Sequence, residues 1–263
     1  MRKPYSTEGF TRDEHIVDGV RSVVYSAGKG PPVVYFHGGG TFHGFEWARD
    51  WLDRFHVILP YHPGFGESAD DSDTATIGDY VVHYTALFSA LGLTRMGLAG
   101  ASFGGRLAAE FALTHGAMVH RLVLAAPAGL QAPECPPPDF AAIPPADVPK
   151  LLVADPDFIA PFWSPDADAA FMAARGRERV STVRVLADSE AADRRLRRRL
   201  PRLAVPTLIL WGGKDRILLP GLARHWGTAI PGAAVEIIDE AGHLLFDESP
   251  RARKLAADFL ART

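Results

Sequence analysis

Residues 95–105 read Arg95-Met96-Gly97-Leu98-Ala99-Gly100-Ala101-Ser102-Phe103-Gly104-Gly105. An apolar, strand-like run ends at Ala99, and a helical pattern begins at Phe103 and continues to His115. Between them Gly100, Ser102 and Gly104 form G-x-S-x-G, a turn so sharp that its central residue is forced into strained backbone angles. Glycines two before and two after that residue let strand and helix pass without a side-chain clash. The Ser102 hydroxyl is thereby expected at the edge of a sheet, at the positive end of a helix.

Outward from this junction the chain alternates. Short runs, apolar on both faces and bounded by Gly or Pro, lie at Pro32–Phe36, Phe55–Leu59, Arg95–Ala99, Arg121–Ala125, Thr207–Trp211 and Ala234–Ile238. Such runs read as strands buried in a parallel sheet. Helical patterns lie between or after them at Ile77–Leu91, Phe103–His115, Leu219–Ala229 and Arg251–Ala261. The alternation predicts an α/β fold with a mostly parallel, doubly wound sheet. An antiparallel pair is expected around Asp13–Ala27. From Gln131 to Leu203 no strand is evident: Pro133, Pro136, Pro137, Pro138, Pro144, Pro145 and Pro149 are followed by helix-forming sequence from Asp166. About 70 residues without sheet exceed a plain connection. We therefore expect a core of residues 1–130 and 204–263, with residues 131–203 inserted as a helical lid over the sheet's carboxyl edge, where open α/β sheets bind ligands.

A serine hydroxyl needs a base, and the base an orienting acid. For this kind of turn the expected chain order is Ser, then Asp or Glu, then His. Of the downstream histidines His115, His120, His225 and His243, only His243 stands where a loop leaving a strand would return it to the carboxyl edge. His115 ends the helix, His120 precedes a strand and His225 lies within a helical pattern. Asp215 follows Thr207–Trp211 directly and is the expected acid. Asp239 and Glu240 are too near His243 in sequence to approach its ring from behind, and an ion pair between Asp215 and Arg216 is the competing use of Asp215. An oxyanion would be held by the backbone N–H of Phe103 and one from His37-Gly38-Gly39-Gly40, with Gly39 placed ahead of Gly40.

Five stretches in this order resemble the α/β-hydrolase-fold serine hydrolases with a helical cap: His37–Gly40, Tyr61–Ser68, the Ser102 turn, Trp211–Asp215 and Gly242-His243. The resemblance as a whole runs from His37 to Phe259, most of the chain. The resemblance implies Ser102 as nucleophile, His243 as base, Asp215 as its orienter, and the amides of Gly39 and Phe103 as oxyanion hole. Ser102 stands where epoxide hydrolases and haloalkane dehalogenases carry aspartate. His37–Gly40 is similar to the meta-cleavage-product hydrolases, which cut carbon–carbon bonds. Where those enzymes typically carry Asn before the nucleophile and Trp after the histidine, this chain has Ala101 and Leu244. The H-G-G-P-G run of prolyl aminopeptidases is absent. The resemblance therefore favours an esterase or lactonase acting on a small, largely apolar acyl substrate. A carbon–carbon bond hydrolase and a receptor-like ligand-binding protein on the same scaffold are the alternatives. Phe42, Phe162, Trp163 and Leu244 are candidates for an apolar substrate pocket, with Phe103 and Leu245 beside the motifs.

Composition limits the remaining classes. The chain has 263 residues, 47% hydrophobic and 22% charged, with Lys+Arg 28 against Asp+Glu 31, and a net charge of −3. That balance gives no electrostatic footprint for nucleic acid, and no apolar run approaches the roughly 20 residues of a membrane span. Met1–Phe10 has no apolar signal-peptide region, so a cytoplasmic location is expected. Arg194, Arg195, Arg197, Arg198 and Arg199, beside Glu190 and Asp193, read as a solvated helix face. Cys135, the one cysteine, rules out an internal disulfide and a cysteine zinc site and reads as an inert thiol. No metal-spaced histidine pair or dinucleotide fingerprint occurs, so neither metal nor cofactor is expected. The expected partner is a small-molecule substrate, with no nucleic acid and no membrane. A homodimer is left open.

Overall fold

The computed structural model describes residues 6–138, 142–144, 147–162, 169–186 and 189–262. The strands are β1 (Thr11–Val17), β2 (Val20–Ala27), β3 (Pro32–Phe36), β4 (His56–Pro60), β5 (Met96–Ala101), β6 (Val119–Ala125), β7 (Thr207–Gly212) and β8 (Ala234–Ile238). They form one sheet in the order β1-β2-β4-β3-β5-β6-β7-β8. β1 and β2 pair antiparallel, as do β2 and β4, and the remaining ladders from β4 to β8 are parallel. The chain leaves β3 toward β4 on one side and returns to β5 on the other. That reversal opens a crevice at the carboxyl ends of β3 and β5, where His37–Gly40 and Gly100–Gly104 lie.

Within each central strand, alternate side chains serve opposite faces, as the period of two requires. Val34, Phe36, Leu98, Leu122, Leu124, Ile209 and Trp211 join the core beneath α1 (Ile77–Ala90), α2 (Phe103–Thr114) and, further along, α7 (Leu222–Ala229). Val33, Tyr35, Ala99, Val123, Leu208 and Leu210 join the opposite core with Trp47 and Trp51 of a short 3-10 turn, Phe246, and Ala256. Both faces are thus buried, which is why these strands read as unbroken apolar runs. β8 differs from expectation. Ala234, Val235 and Glu236 are exposed, because β8 is the edge strand and has a neighbour on one side only.

Between β6 and β7 the chain forms α3 (Val148–Leu151), α4 (Pro156–Ile159), α5 (Ala169–Leu186) and α6 (Ser189–Arg199). Among the described residues the only β-pairing in this segment is an isolated bridge from Ala132 to Cys135. The Cys135 side chain is buried. Part of the arginine run is paired although still partly exposed: Arg197 Nε bonds both oxygens of Asp193 one turn earlier in α6 (3.0 and 2.9 Å), and Arg199 pairs with Glu110 of α2. Two short elements complete the chain, α8 (Leu245–Glu248) and α9 (Pro250–Leu260). Among the described residues no helix is long and apolar enough to cross a membrane.

The β5–α2 junction depends on its glycines. A Cβ at Gly100 would lie 2.3 Å from the Gly104 carbonyl oxygen, and one at Gly104 would lie 2.2 Å from Phe36 O and 2.3 Å from His37 O. Gly100 therefore lets strand and helix pass, whereas Gly104 seats the helix against the end of β3. All these clashes are with backbone and cannot be relieved by a rotamer change. Gly104→Ala is expected to cost about 3 kcal/mol and lower Tm by about 10 °C, read by thermal unfolding.

Candidate active site

Ser102 adopts φ 53° and ψ −119°, a left-handed conformation that costs a non-glycine residue of order 1–3 kcal/mol. The turn is held from both directions. Ser102 N–H donates to Ala125 O (2.9 Å), and Ser102 O accepts from Arg106 N–H (3.1 Å) and Ala128 N–H (2.9 Å). A serine at a helix N-cap usually spends its hydroxyl on the first turn's amides. Here the side chain makes no such capping bond. The Oγ is thus left out of the cap, at the positive end of α2.

Asp215 and His243 meet at the same edge, one following β7 and the other β8. His243 Nδ1 lies 2.7 Å from Asp215 Oδ2, and the two side chains are 5% and 0% exposed. The carboxylate only accepts, so in the neutral ring the proton sits on Nδ1 and the lone pair on Nε2. The other carboxylate oxygen, Oδ1, accepts from Ile217 N–H (2.8 Å) and Leu218 N–H (2.9 Å), which fixes the side chain. The loops are interlocked, with Gly213 N–H donating to Ile238 O (2.8 Å) and Lys214 N–H to Ala241 O (2.9 Å). Arg216 does not pair with Asp215; its Nη2 donates to the carbonyls of Lys150 (2.6 Å) and Val153 (2.7 Å). Asp239 and Glu240 are exposed. The other downstream histidines face different partners: His115 bonds Thr85 (2.9 Å), His120 approaches Leu260 O (3.3 Å) and His225 bonds Glu134 (2.8 Å).

The glycine loop after β3 crosses this junction. A Cβ at Gly38 would lie 3.4 Å from Ser102 Cβ. Two buried histidines hold the loop. His37 Nε2 accepts from His62 N–H (3.0 Å), so its proton sits on Nδ1 and is donated to Gly38 O (2.7 Å). His62 Nε2–H donates to His37 O (2.9 Å), and its Nδ1 accepts from the Tyr84 hydroxyl. Because a trans peptide sets C=O and N–H on opposite sides, drawing Gly38 O to the His37 ring turns the Gly39 N–H away from it. The sequence singled out His37 and His62 only as parts of motifs. Their use as braces emerges from pairing across 25 residues.

Burial pushes His37 down to about 3 and His62 well below the ordinary histidine value. An unfolded chain takes up protons on both near pH 6.5, whereas the native chain refuses them. Stability therefore falls as pH drops from about 6.5 toward 3, by about 1.4 kcal/mol per pH unit for His37. His43 has the opposite sign. Burial alone would lower it, but the charge and hydrogen bond of Asp247 (3.0 Å) outweigh burial and hold it above its ordinary value. Its contribution is complete below pH 6.5 and does not cancel the acid slope. The urea midpoint is expected to fall steadily between pH 6.5 and 4, with a shallower slope in His37→Gln.

From the segment after β6, α5 reaches the same loop. Glu178, 1% exposed, accepts from Thr41 Oγ1 (2.5 Å), Thr41 N–H (3.2 Å) and Gly66 N–H (3.0 Å) and pairs with Arg175. Thr182 Oγ1 approaches Gly39 O at 3.3 Å. Neither Glu178 nor Thr182 was a site candidate, since nothing in local spacing marks a helix residue as docking 137 positions away. Of the proposed pocket residues, Phe42, Phe162 and Leu244 fall in one apolar cluster with Leu152, Val153, Phe158, Ile159 and Phe171. Trp163 lies outside the described residues. Phe103 is not a pocket side chain: its ring is packed among His62, Phe65 and Tyr80. Leu245 is likewise core, 1% exposed beside Phe246.

The doubly wound sheet brings the strained serine junction after β5 and the acid–histidine pair after β7 and β8 to its carboxyl edge, the arrangement of an α/β-fold protein with one candidate site. The chain belongs to the alpha/beta hydrolase family, whose model matches residues 33–256, and is an enzyme of hydrolase type. It is 28% identical over 264 residues to 2-hydroxy-6-oxo-6-phenylhexa-2,4-dienoate hydrolase of Comamonas testosteroni, covering 89% of each chain. It is 24% identical over 228 residues to lipase 3 of a Moraxella species, covering 82% of this chain and 72% of the lipase. The crystal structure of naproxen esterase from Bacillus subtilis superposes with a TM-score of 0.75 at 19% identity, over 95% of this chain and 91% of the esterase, a likeness of fold.

Proposed function

We propose that the protein is a serine hydrolase that cleaves an ester or lactone of a small, largely apolar substrate through an acyl-enzyme. The observation that carries this reading is the buried 2.7 Å Asp215–His243 hydrogen bond, placed on the same sheet edge as the uncapped, left-handed Ser102. Ser102 Oγ attacks the carbonyl carbon while His243 Nε2 takes its proton. Asp215 holds the Nδ1–H tautomer and stabilises the imidazolium that forms. The tetrahedral oxyanion is met by the N–H of Phe103 and the N–H of Gly39, which the His37 brace turns away from its own ring. His243 then protonates the leaving group, and a water activated by the same imidazole releases the acid.

The apolar cluster around Phe42, Phe162 and Leu244 supports an apolar acyl group, worth about 0.8 kcal/mol for each methylene it buries. The residues 131–203 act in this reading as a cap that supplies one wall of the acyl site. Ala101 and Leu244 weigh against carbon–carbon bond cleavage. A short-chain nitrophenyl ester is expected to give a burst of nitrophenol equal to the enzyme concentration, then slower steady turnover. Preferential turnover of a vinylogous diketone over esters and lactones would replace the ester reading with carbon–carbon hydrolysis. Tight ligand binding with no turnover would replace it with a receptor.

A further inference from the structure

The end of α3 and the turn that leads from it to α4, residues 150–155, are tied to both members of the Asp215–His243 pair through their immediate neighbours. On the acid's side, Arg216 Nη2 donates to Lys150 O at 2.6 Å and Val153 O at 2.7 Å. On the base's side, Leu244 N–H donates to Leu152 O at 2.8 Å. Glu248 closes the arrangement: Oε1 accepts from Ala154 N–H at 2.6 Å and Oε2 from Gly242 N–H at 2.8 Å. The two surfaces touch closely, since a Cβ at Gly242 would lie 2.6 Å from Ala154 N and Val153 C. Val153 itself is fully buried. Residues on both sides of His243, and the one following Asp215, thus contact a single six-residue stretch of the β6–β7 segment, the end of α3 and the turn after it.

We propose that this turn is a strap that positions the acid–base pair, with Glu248 and Arg216 as its positioning residues. The proposal rests on the reading of His243 as the base. Neither residue touches the reacting atoms; each acts by fixing the backbone from which His243 or Asp215 projects. Glu248 suits this because a carboxylate can accept at both oxygens at once, joining two amides that each need an acceptor. A glutamine in its place accepts at one end only and turns an NH2 group toward the other amide. The Gly242 peptide, or the strap, is then released. Burial pushes the Glu248 carboxyl above its ordinary range, against the backbone N–H bonds from Ala154, Gly242 and Asp155 that pull it down.

The test compares wild type, Glu248→Gln, Arg216→Met, the double variant and His243→Ala. Readouts are steady-state ester hydrolysis against pH, Tm, and the downfield proton NMR line of the His243 Nδ1–H. Glu248→Gln is expected to lower kcat about tenfold to hundredfold with KM little changed, to move the acid limb of the kcat profile, and to shift or broaden the Nδ1–H line. Arg216→Met is expected to act in the same direction, and the double variant to lose less than the product of the two single losses, because both act through one strap. A purely structural role would lower Tm and leave the pH profile and the line in place; that outcome overturns the proposal. If Glu248→Gln does not fold, Arg216→Met decides. In wild-type protein the amides of Ala154, Gly242 and Leu244 are expected to exchange with solvent in one cooperative step, and independent exchange also overturns it. Undiminished turnover by His243→Ala would instead overturn the underlying reading of the base.

Discussion

Replacing Ser102 with alanine is expected to lower kcat for ester hydrolysis about 10⁶-fold, leaving only the acceleration due to binding and the oxyanion donors. The junction itself gives the reason. Ser102 is strained at φ 53°, and its hydroxyl makes no capping bond to α2. A serine kept only for the turn would be expected to use that hydroxyl, and an alanine there would destabilise the helix. In this fold the backbone bonds of residue 102 to Ala125, Arg106 and Ala128 do not involve the side chain. The variant should therefore fold with a Tm close to wild type while losing turnover. Stopped-flow and steady-state assays on the same preparation read both. A variant that unfolds, or one that retains burst and turnover, contradicts the role given to Ser102.

Asp215→Asn is expected to lower kcat about 10⁴-fold, and the reason can be traced atom by atom. Asp215 Oδ1 accepts from the amides of Ile217 and Leu218. In the asparagine variant those two donors hold the amide oxygen at the Oδ1 position. The NH2 group must then face His243, whose Nδ1 becomes an acceptor. The ring proton moves to Nε2, and Nε2 can no longer take the proton of Ser102. The variant is isosteric and keeps the surrounding bonds, so its Tm should change little. A KM near wild type is expected, because the interaction is needed for proton transfer rather than for binding. Loss of the downfield Nδ1–H proton line would accompany the loss of kcat.

Much of the sheet was legible because its central strands are buried on both faces. Val33 and Val34 enter opposite cores, and neither position has to be polar. β8 is a strand with the expected bounds, but its burial differs: Ala234 and Val235 carry the composition of an interior strand, whereas which strand lacks an outer neighbour is a property of sheet order. Asp215 and His243 could be named because each stands just beyond a strand end, a local signal. The competing Asp215–Arg216 pair could not be settled locally, since the carbonyls that hold Arg216 belong to Lys150 and Val153, more than sixty positions earlier. Glu178 and Glu248 were illegible for a related reason. A carboxylate turned toward the fold, fully buried as Glu178 or partly as Glu248, looks in sequence like any helix-surface glutamate until the amides it accepts from are known. Phe103 shows the reverse error, an aromatic beside the motif that packs inward among His62, Phe65 and Tyr80.

In the proposed mechanism one serine, Ser102, carries the acyl group. Incubation with a fluorophosphonate, followed by intact-mass and peptide mapping, tests it directly. A single adduct on the peptide containing Ser102, absent from Ser102→Ala and slowed in His243→Ala, is the predicted result. An adduct elsewhere, or labelling of Ser102→Ala at the wild-type rate, would contradict it.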